Sequence, residues 1–230
     1  MSLTTATGIA LILSTLIYHG GLAFLYGRAH FGEVLNLSRG EKLFTIAKYA
    51  NQYLWGCRIV LLGWIVASLA YVMLTAILWD AGDPIVSTLA SVLFLMGIAS
   101  AIGFWALGVP VTMLVAEEPA RTAIVPQYYE RHQVAAESLL EIYIFLGLLG
   151  TAGFGWALLQ TGLLLSWVGW ITLAWGLFFA GMSLKMAGTR AVRATPNALP
   201  LLPMVMQLVI GISLLVKQMN RGPEAYLHAA

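Results

Sequence analysis

The chain has 230 residues, of which 60% are hydrophobic and only 10% are charged, and its formal net charge is +2. Soluble domains carry about 25% charged residues, so this composition excludes an ordinary soluble protein and favours a chain surrounded by lipid. The small, dispersed positive charge excludes a nucleic-acid partner. The single cysteine, Cys57, excludes an intrachain disulfide and a CxxC metal or redox pair. We therefore expect an all-α, polytopic transmembrane bundle.

Six apolar segments are long enough to cross a bilayer, which takes roughly 20 mostly apolar residues. The N-terminal sequence MSLTTATG lacks the basic residues of a cleaved signal peptide, so we expect the first segment to be retained. Together the segments predict a single transmembrane domain over residues 1–230. The predicted spans are 8–27, 57–79, 84–116, 138–160, 164–187 and 199–217.

Two connections between spans are short enough to be helical hairpins. In DAGDP, at 80–84, Asp83 is placed as an N-cap and Pro84 at the first helical position. The second connection, QTGL at 160–163, is equally short. Spans two and three, and spans four and five, are therefore expected to be antiparallel neighbours.

Small residues recur at spacings that allow helices to approach each other closely. Span three has Ala99 and Gly103, and span five has Gly176 and Ala180. Span four has four glycines, which are Gly147, Gly150, Gly153 and Gly155. These positions are predicted to lie where helices touch.

Basic residues set the expected orientation, because cytoplasmic loops of membrane proteins are enriched in Lys and Arg. Ten of the twelve basic residues flank the connections after spans one, three and five. This bias predicts that both termini lie on the non-cytoplasmic side of a bacterial cytoplasmic (inner) membrane. Four tryptophans are expected to form an aromatic belt at the outer boundary, namely Trp79, Trp156, Trp167 and Trp170.

One segment outside the spans, 38–55, has the pattern of an amphipathic helix. Ser38 and Glu41 have the spacing of a capping box at its start. One of its faces is apolar and consists of Leu43, Ala47, Ala50 and Leu54. We expect this helix to lie on the inner leaflet.

Polar residues fall in the cytoplasmic half of several spans. His19, beside Tyr18, and Gln207 lie at similar predicted depths, and Glu141 lies about one turn into span four. Polar groups inside membrane spans indicate functional sites by default. The hypothesis is a polar pocket lined by His19, Glu141 and Gln207, in which Glu141 pairs with Arg58 or His19. Alternatively, Arg58 extends to the headgroups, and His19 bonds a backbone carbonyl near Gly20 and Gly21.

The sequence predicts no named enzymatic reaction, no metal site and no particular cofactor. A b-type haem would need two histidines at one depth on facing helices, and no other histidine matches His19 in depth. Zinc-protease, phosphate-loop and nucleophile-elbow motifs are absent from the sequence. If a cofactor such as haem, quinone or a pigment is bound, His19 is the candidate ligand.

Two stretches in the last third of the chain resemble a known family. The sequence GWALLQTGLLLSWVGWITLAWGLFF, at 155–179, has a Gly-Leu hairpin followed by a Trp and a GW pair. The sequence NALPLLPMVMQLVIGISLLVK, at 197–217, has a Leu-Pro entry and a long apolar run. Both are similar to a bacterial family of uncharacterised six-span membrane proteins, a domain of unknown function. The resemblance implies six helices and a bacterial membrane, and it implies no activity.

Three hypotheses of function follow from the sequence. The first is a non-catalytic accessory or assembly subunit that binds lipid and other membrane subunits, or further copies of itself. The second is a small-molecule carrier or sensor that uses the His19, Glu141 and Gln207 pocket. The third is an intramembrane redox or cofactor-binding protein with His19 as a ligand.

Overall fold

A computed structural model of the chain describes residues 1–27, 39–122, 126–186 and 202–220. Within these ranges about 94% of the residues are helical and no strand occurs, which confirms the all-α prediction. The described helices, in chain order, are α1 (Leu3–Gly27), α2 (Arg39–Lys48), α3 (Ala50–Asp80), α4 (Pro84–Thr122), α5 (Gln127–Thr161), α6 (Ser166–Met186) and α7 (Leu202–Asn220).

Five of these helices are long and apolar enough to cross a membrane, namely α1, α3, α4, α5 and α6. The apolar part of α7, Met204–Asn220, is shorter. The helices are thus compatible with an integral membrane protein, while six crossings and the sides of the termini stay predictions. The predicted end of span five at 187 and start of span six at 199 lie outside the described residues.

The helices pack as a ring of antiparallel neighbours. Helix α1 packs between α3 and α7, α4 packs between α3 and α5, and α6 packs along α5. Helix α7 closes the ring through lighter contacts with α5 and α6. Gly21 of α1 lies against Val60, and Gly63 of α3 lies against Tyr18, so α1 and α3 run in opposite directions.

Glycines bring α5 and α6 into close contact. A Cβ added at Gly155 would lie 2.3 Å from the backbone nitrogen of Leu173, and one at Gly176 would lie 2.5 Å from that of Ala152. Both distances are too short for any side chain. Ala99 of α4, by contrast, is exposed, so this small residue of the predicted motif does not mark a contact within the chain.

The two predicted hairpins are found where the sequence placed them. Helix α4 begins at Pro84, and the Val86 N–H donates to Oδ1 of Asp83 at 3.1 Å, which confirms the predicted N-cap. Helix α5 ends at Thr161 and is capped by Gly162, whose φ of 59° is left-handed. The Lys217 ammonium of α7 donates to the Leu163 carbonyl in this second hairpin, so the end of α7 is held at the hairpin end of the bundle.

The amphipathic helix predicted over 38–55 is corrected by the structure. Its helix, α2, ends at Lys48, and residues 50–55 are the first turns of α3, because the backbone at Tyr49 leaves the helical conformation. Ser38 lies outside the described residues. On α2, Leu43 is buried against residues from the end of α4 and the start of α5. Its apolar face therefore packs on protein.

Candidate functional site

Polar groups in the described part of the bundle meet where α1 packs on α7. Gln207 is fully buried, and its Oε1 lies 3.0 Å from the Ser14 hydroxyl. The Thr15 hydroxyl lies 3.3 Å from the Met204 carbonyl across the same interface and 3.0 Å from the Leu11 carbonyl of its own helix. Hydrogen bonds between helices of this kind hold membrane bundles together. The α1–α7 contact is thus fixed by polar groups as well as by packing.

The Gln207 amide is not fully satisfied in this arrangement. The Ser14 hydroxyl lies 2.8 Å from the Leu11 carbonyl as well as 3.0 Å from Gln207, and its single hydrogen can serve only one acceptor at a time. The Tyr71 phenol faces the Gln207 amide. However, neither the Tyr71 hydroxyl oxygen nor Nε2 of Gln207 forms a hydrogen bond with a described residue.

Aromatic rings fill the interior beside this polar contact. Trp64 of α3 packs edge-on against Tyr18, with ring centroids 5.0 Å apart, and against Tyr143 at 4.6 Å. Two turns further along α3, Tyr71 packs on Phe94 at 3.8 Å and on Phe154 at 4.8 Å. Burial of these rings joins α1, α3, α4 and α5 around one core.

His19 is half-buried, and its ring is held by its own helix. The Nδ1 atom lies 2.8 Å from the Thr15 carbonyl oxygen, one turn earlier. Because a carbonyl oxygen only accepts, Nδ1 carries the hydrogen, and Nε2 is the acceptor nitrogen of the neutral ring. The ring also meets that of Tyr18 edge-on at 5.5 Å. This geometry agrees with the alternative expectation that His19 bonds a backbone carbonyl. The carbonyl is that of Thr15, however, and not one near Gly20 and Gly21.

Glu141 and Arg58 do not join His19 and Gln207. Both side chains are exposed on the outside of the bundle, and the Arg58 guanidinium stacks over the Trp55 ring, 5.1 Å from its centroid. Between the described side chains, Glu141 makes no ion pair with Arg58 or with His19. No described contact joins Glu141 to His19 or to Gln207, which is buried. Glu141 faces outward because Tyr143, two residues later on α5, faces the core.

The interior residues that sequence reasoning missed are Ser14, Trp64, Tyr71 and Tyr143. Trp64 and Tyr71 are seven residues apart, which places them on one face of α3. Rings with a polar tip inside an apolar span are a signal of a buried polar contact. The seven-residue spacing of these two rings is therefore the signal in the sequence that marks the inward face of α3.

Within the described ranges, no group of three or more His, Cys, Asp or Glu side chains is placed to hold a metal ion. Cys57 is buried and is not part of a disulfide.

Comparison with known proteins finds no matching family model, no matching curated protein and no matching solved structure. The resemblance to a family of six-span membrane proteins accordingly stays a prediction.

Proposed function

We propose that the chain is an integral protein of a bacterial cytoplasmic membrane that crosses the bilayer six times, with both termini on the non-cytoplasmic side. In this proposal it is a non-catalytic subunit that binds other membrane subunits through the outward faces of its helices. The observation that supports this proposal most directly is the exposure of Glu141 on the outside of the bundle.

The distribution of exposed side chains supports the proposed orientation. The exposed basic residues Lys48, Arg58 and Arg131 lie toward the end of the bundle opposite the two hairpins. Exposed tryptophan rings, including Trp79 and Trp156, lie toward the hairpin end. Basic residues inside and an aromatic belt outside are typical of proteins of this class.

The depth of Glu141 makes its exposure costly in a lipid environment. Fifteen residues separate it from Trp156 on the same helix, a rise of about 22 Å at 1.5 Å per residue. The hydrocarbon core of a bilayer is about 30 Å thick, so Glu141 lies in its inner half. A carboxylate that faces lipid at this depth is unfavourable, and such groups in membrane proteins are usually paired with another polar group.

The surface around Glu141 is otherwise suited to contact with another helix. Val134 and Ile142, on the same side of α5, are 44% and 43% exposed, and Ser138 is exposed between them. The apolar side chains provide area on which another helix can pack, and the Glu141 carboxylate provides one group that it can hydrogen-bond. A partner helix that supplies a hydrogen-bond donor or a cation would satisfy Glu141 while covering this surface.

Gentle extraction and native separation of the intact chain test the proposal. We expect the 24.9 kDa chain to migrate with a partner subunit or a further copy, and Glu141→Gln to release that companion while the chain stays folded. Arg131→Gln, a change of charge nearer the start of α5, is the control and is expected to retain it. A lone chain in every mild detergent and in lipid nanodiscs would refute the proposal.

A second candidate function is a carrier or sensor of a small polar molecule, and the unsatisfied interior groups favour it. Tyr71 and Gln207 face each other with a hydroxyl and an amide nitrogen that have no partner among the described residues. A ligand with a carbonyl or hydroxyl oxygen would pair with both. Native mass spectrometry tests this function, since a small adduct of the wild type would be lost in Gln207→Leu.

The third hypothesis, a cofactor bound by His19, rests on the orientation of its ring. With Nδ1 directed at the Thr15 carbonyl, Nε2 is the nitrogen left for a ligand. A visible absorption spectrum of the purified protein tests this hypothesis. Haem or pigment absorption that disappears in His19→Ala would favour it over the first proposal.

A further inference from the structure

We propose that the interior of the bundle binds a small neutral molecule whose carbonyl oxygen accepts hydrogen bonds from the Trp64 indole and the Gln207 amide. This inference rests on the second candidate function, a carrier or sensor of a small molecule. It goes further in two ways, because it adds Trp64 to the site lined by Tyr71 and Gln207 and because it names the chemical class of the ligand.

Three buried side chains in the middle of the bundle each have a polar atom without a hydrogen-bond partner among the described residues. These atoms are Nε1 of Trp64, the hydroxyl oxygen of Tyr71 and Nε2 of Gln207. Each of the three side chains is 1% exposed or less. Buried polar groups in proteins are nearly always hydrogen-bonded, so three such groups in one interior indicate a missing partner.

The packing of α1 places Gln207 level with the middle of α3. Tyr18 of α1 packs against Gly63 of α3, and the two helices run in opposite directions. Ser14, one turn before Tyr18, is therefore level with Ala67, one turn after Gly63. The Oε1 atom of Gln207 lies 3.0 Å from the Ser14 hydroxyl, so the Gln207 amide enters the interior at this level.

Trp64 and Tyr71 lie on either side of this level. Trp64 precedes Ala67 by three residues and Tyr71 follows it by four, which are rises of about 5 Å and about 6 Å, and all three share one face of α3. Tyr71 faces the Gln207 amide. Ala67 is itself fully buried and contributes only a methyl group between the two rings. An oxygen atom at the level of Ala67 is therefore within about one helical turn of all three polar groups.

Aromatic rings enclose this part of the interior. The Tyr143 ring of α5 lies 4.6 Å from that of Trp64, measured between centroids, and its phenol lies near those of Tyr18 and Tyr71. Tyr71 in turn packs on Phe94 at 3.8 Å. Apolar and aromatic walls with a few polar groups are typical of small-molecule sites. The close spacing of the rings restricts the ligand to a few heavy atoms.

The chemistry of the unpartnered groups defines what the ligand must offer. The indole nitrogen of Trp64 and the amide nitrogen of Gln207 donate hydrogen bonds and do not accept them. A carbonyl oxygen has two lone pairs and no hydrogen, so it matches these two donors without adding a donor of its own. The amide nitrogen has a second hydrogen, which is available to the Tyr71 hydroxyl that faces it.

The surroundings favour a neutral ligand. Among the described residues, the buried side chains include no lysine, arginine or histidine, so no buried cation offsets the charge of an anion. An uncompensated charge is very unfavourable in an apolar interior. A protonated amine would bring donors to a site whose own unpartnered nitrogens also donate. The carbonyl group of a small ketone, ester or amide meets both conditions.

Two probe molecules of matched shape test the class of the ligand. Cyclohexanone carries a carbonyl oxygen, which methylenecyclohexane replaces with a methylene group that accepts no hydrogen bond. The protein is isotopically labelled at its tryptophan indole nitrogens and studied by NMR in nanodiscs, where the Trp64 signal is the one absent from Trp64→Phe. We expect cyclohexanone to shift this N–H signal downfield in a saturable way, and methylenecyclohexane to leave it unchanged.

Variants test the two proposed donors through the affinity for cyclohexanone, measured by ligand-observed NMR. Gln207→Leu and Trp64→Phe should each weaken binding by about three- to tenfold, the contribution of one hydrogen bond. Gln218→Leu, three turns further along α7, and Trp156→Phe, at an exposed ring, are the matched controls and should bind as the wild type does. Thermal unfolding of each variant checks that it is folded.

Three results would overturn the inference. They are equal shifts from the two probes, a Trp64 signal that neither probe changes, and a Trp64 N–H that bonds an internal water which cyclohexanone does not displace. If native mass spectrometry finds an adduct that Gln207→Leu loses while cyclohexanone does not bind, the second candidate function stands and only the carbonyl class fails. If neither an adduct nor a bound probe is found, both fail.

Discussion

At the scale of single residues, two neighbours on α5 have opposite surroundings. Tyr143 is fully buried in the aromatic core, whereas Glu141 is exposed. Position along the sequence gives the depth of a residue in a span, but not the direction in which its side chain points. In soluble helices an apolar stripe marks the inward face, whereas the lipid around a membrane-spanning helix is as apolar as the core. The outward position of Glu141 could therefore not be predicted from the pattern.

The hydroxyl of Tyr71 gives a direct residue-scale prediction. It is buried and has no partner among the described residues, while its ring packs on Phe94 and Phe154. Tyr71→Phe keeps the ring and removes the unsatisfied group, so the free energy of unfolding should be unchanged or higher by up to about 1 kcal/mol. Thermal unfolding in detergent measures this change.

Tyr71→Ala is the matched control, because it removes the ring contacts and should cost about 3–5 kcal/mol. If Tyr71→Phe instead lowered the free energy of unfolding by more than about 2 kcal/mol, the hydroxyl would have to be bonded to a group in the folded protein, either the Gln207 amide that it faces or a bound ligand.

At the scale of helices and turns, the local chemistry of the chain decides where each element begins. The N-cap Asp83 accepts the Val86 N–H at 3.1 Å. Asp83→Ala should lower the free energy of unfolding by about 1 kcal/mol, because one N–H at the start of α4 loses its acceptor. Asp80→Ala removes an exposed carboxylate from the same hairpin and should have little effect. If Asp83→Ala and Asp80→Ala lowered the free energy of unfolding equally, the loss of the N-cap hydrogen bond could not be the cause of the destabilisation.

The contact between α5 and α6 gives a second prediction at this scale. An added Cβ at Gly176 would lie 2.5 Å from the backbone of Ala152, whereas at Gly181, on the same helix, it would meet nothing within 4 Å. Gly176→Ala should force the helices apart and cost about 1–3 kcal/mol. Gly181→Ala should be neutral or slightly stabilising, because Ala favours the helix. Comparing the two melting temperatures tests the contact, and similar values would argue against close packing here.

The sequence predicted the features that depend on a few adjacent residues. The two hairpins follow from Asp83 and Pro84 and from the turn at Gly162, and close approach at Gly155 and Gly176 follows from small side chains. It did not predict that α2 would end at Lys48 and pack on α4 and α5, because this depends on residues far away in the chain. The relative positions of His19, Glu141 and Gln207 could not be predicted for the same reason, since they depend on how three helices pack.

At the scale of the whole molecule, the helices form a ring with its hairpins at one end. Lys217 holds α7 to the hairpin at that end, and α2 packs against α4 and α5 at the other. The two ends differ in chemistry, because exposed basic side chains lie toward the end at which α2 packs. A membrane placed around the ring therefore has a predicted inside and outside, and the depth of Glu141 depends on this placement.

Two-sided labelling of single cysteines tests the placement most directly. In a Cys57→Ala background, Ala81→Cys marks the hairpin end, and Lys48→Cys and Arg131→Cys mark the other end; all three positions are exposed. A membrane-impermeant maleimide should label position 81 in intact cells, and positions 48 and 131 only in inverted vesicles. Labelling of all three positions from the same side would contradict the proposed crossing of the membrane.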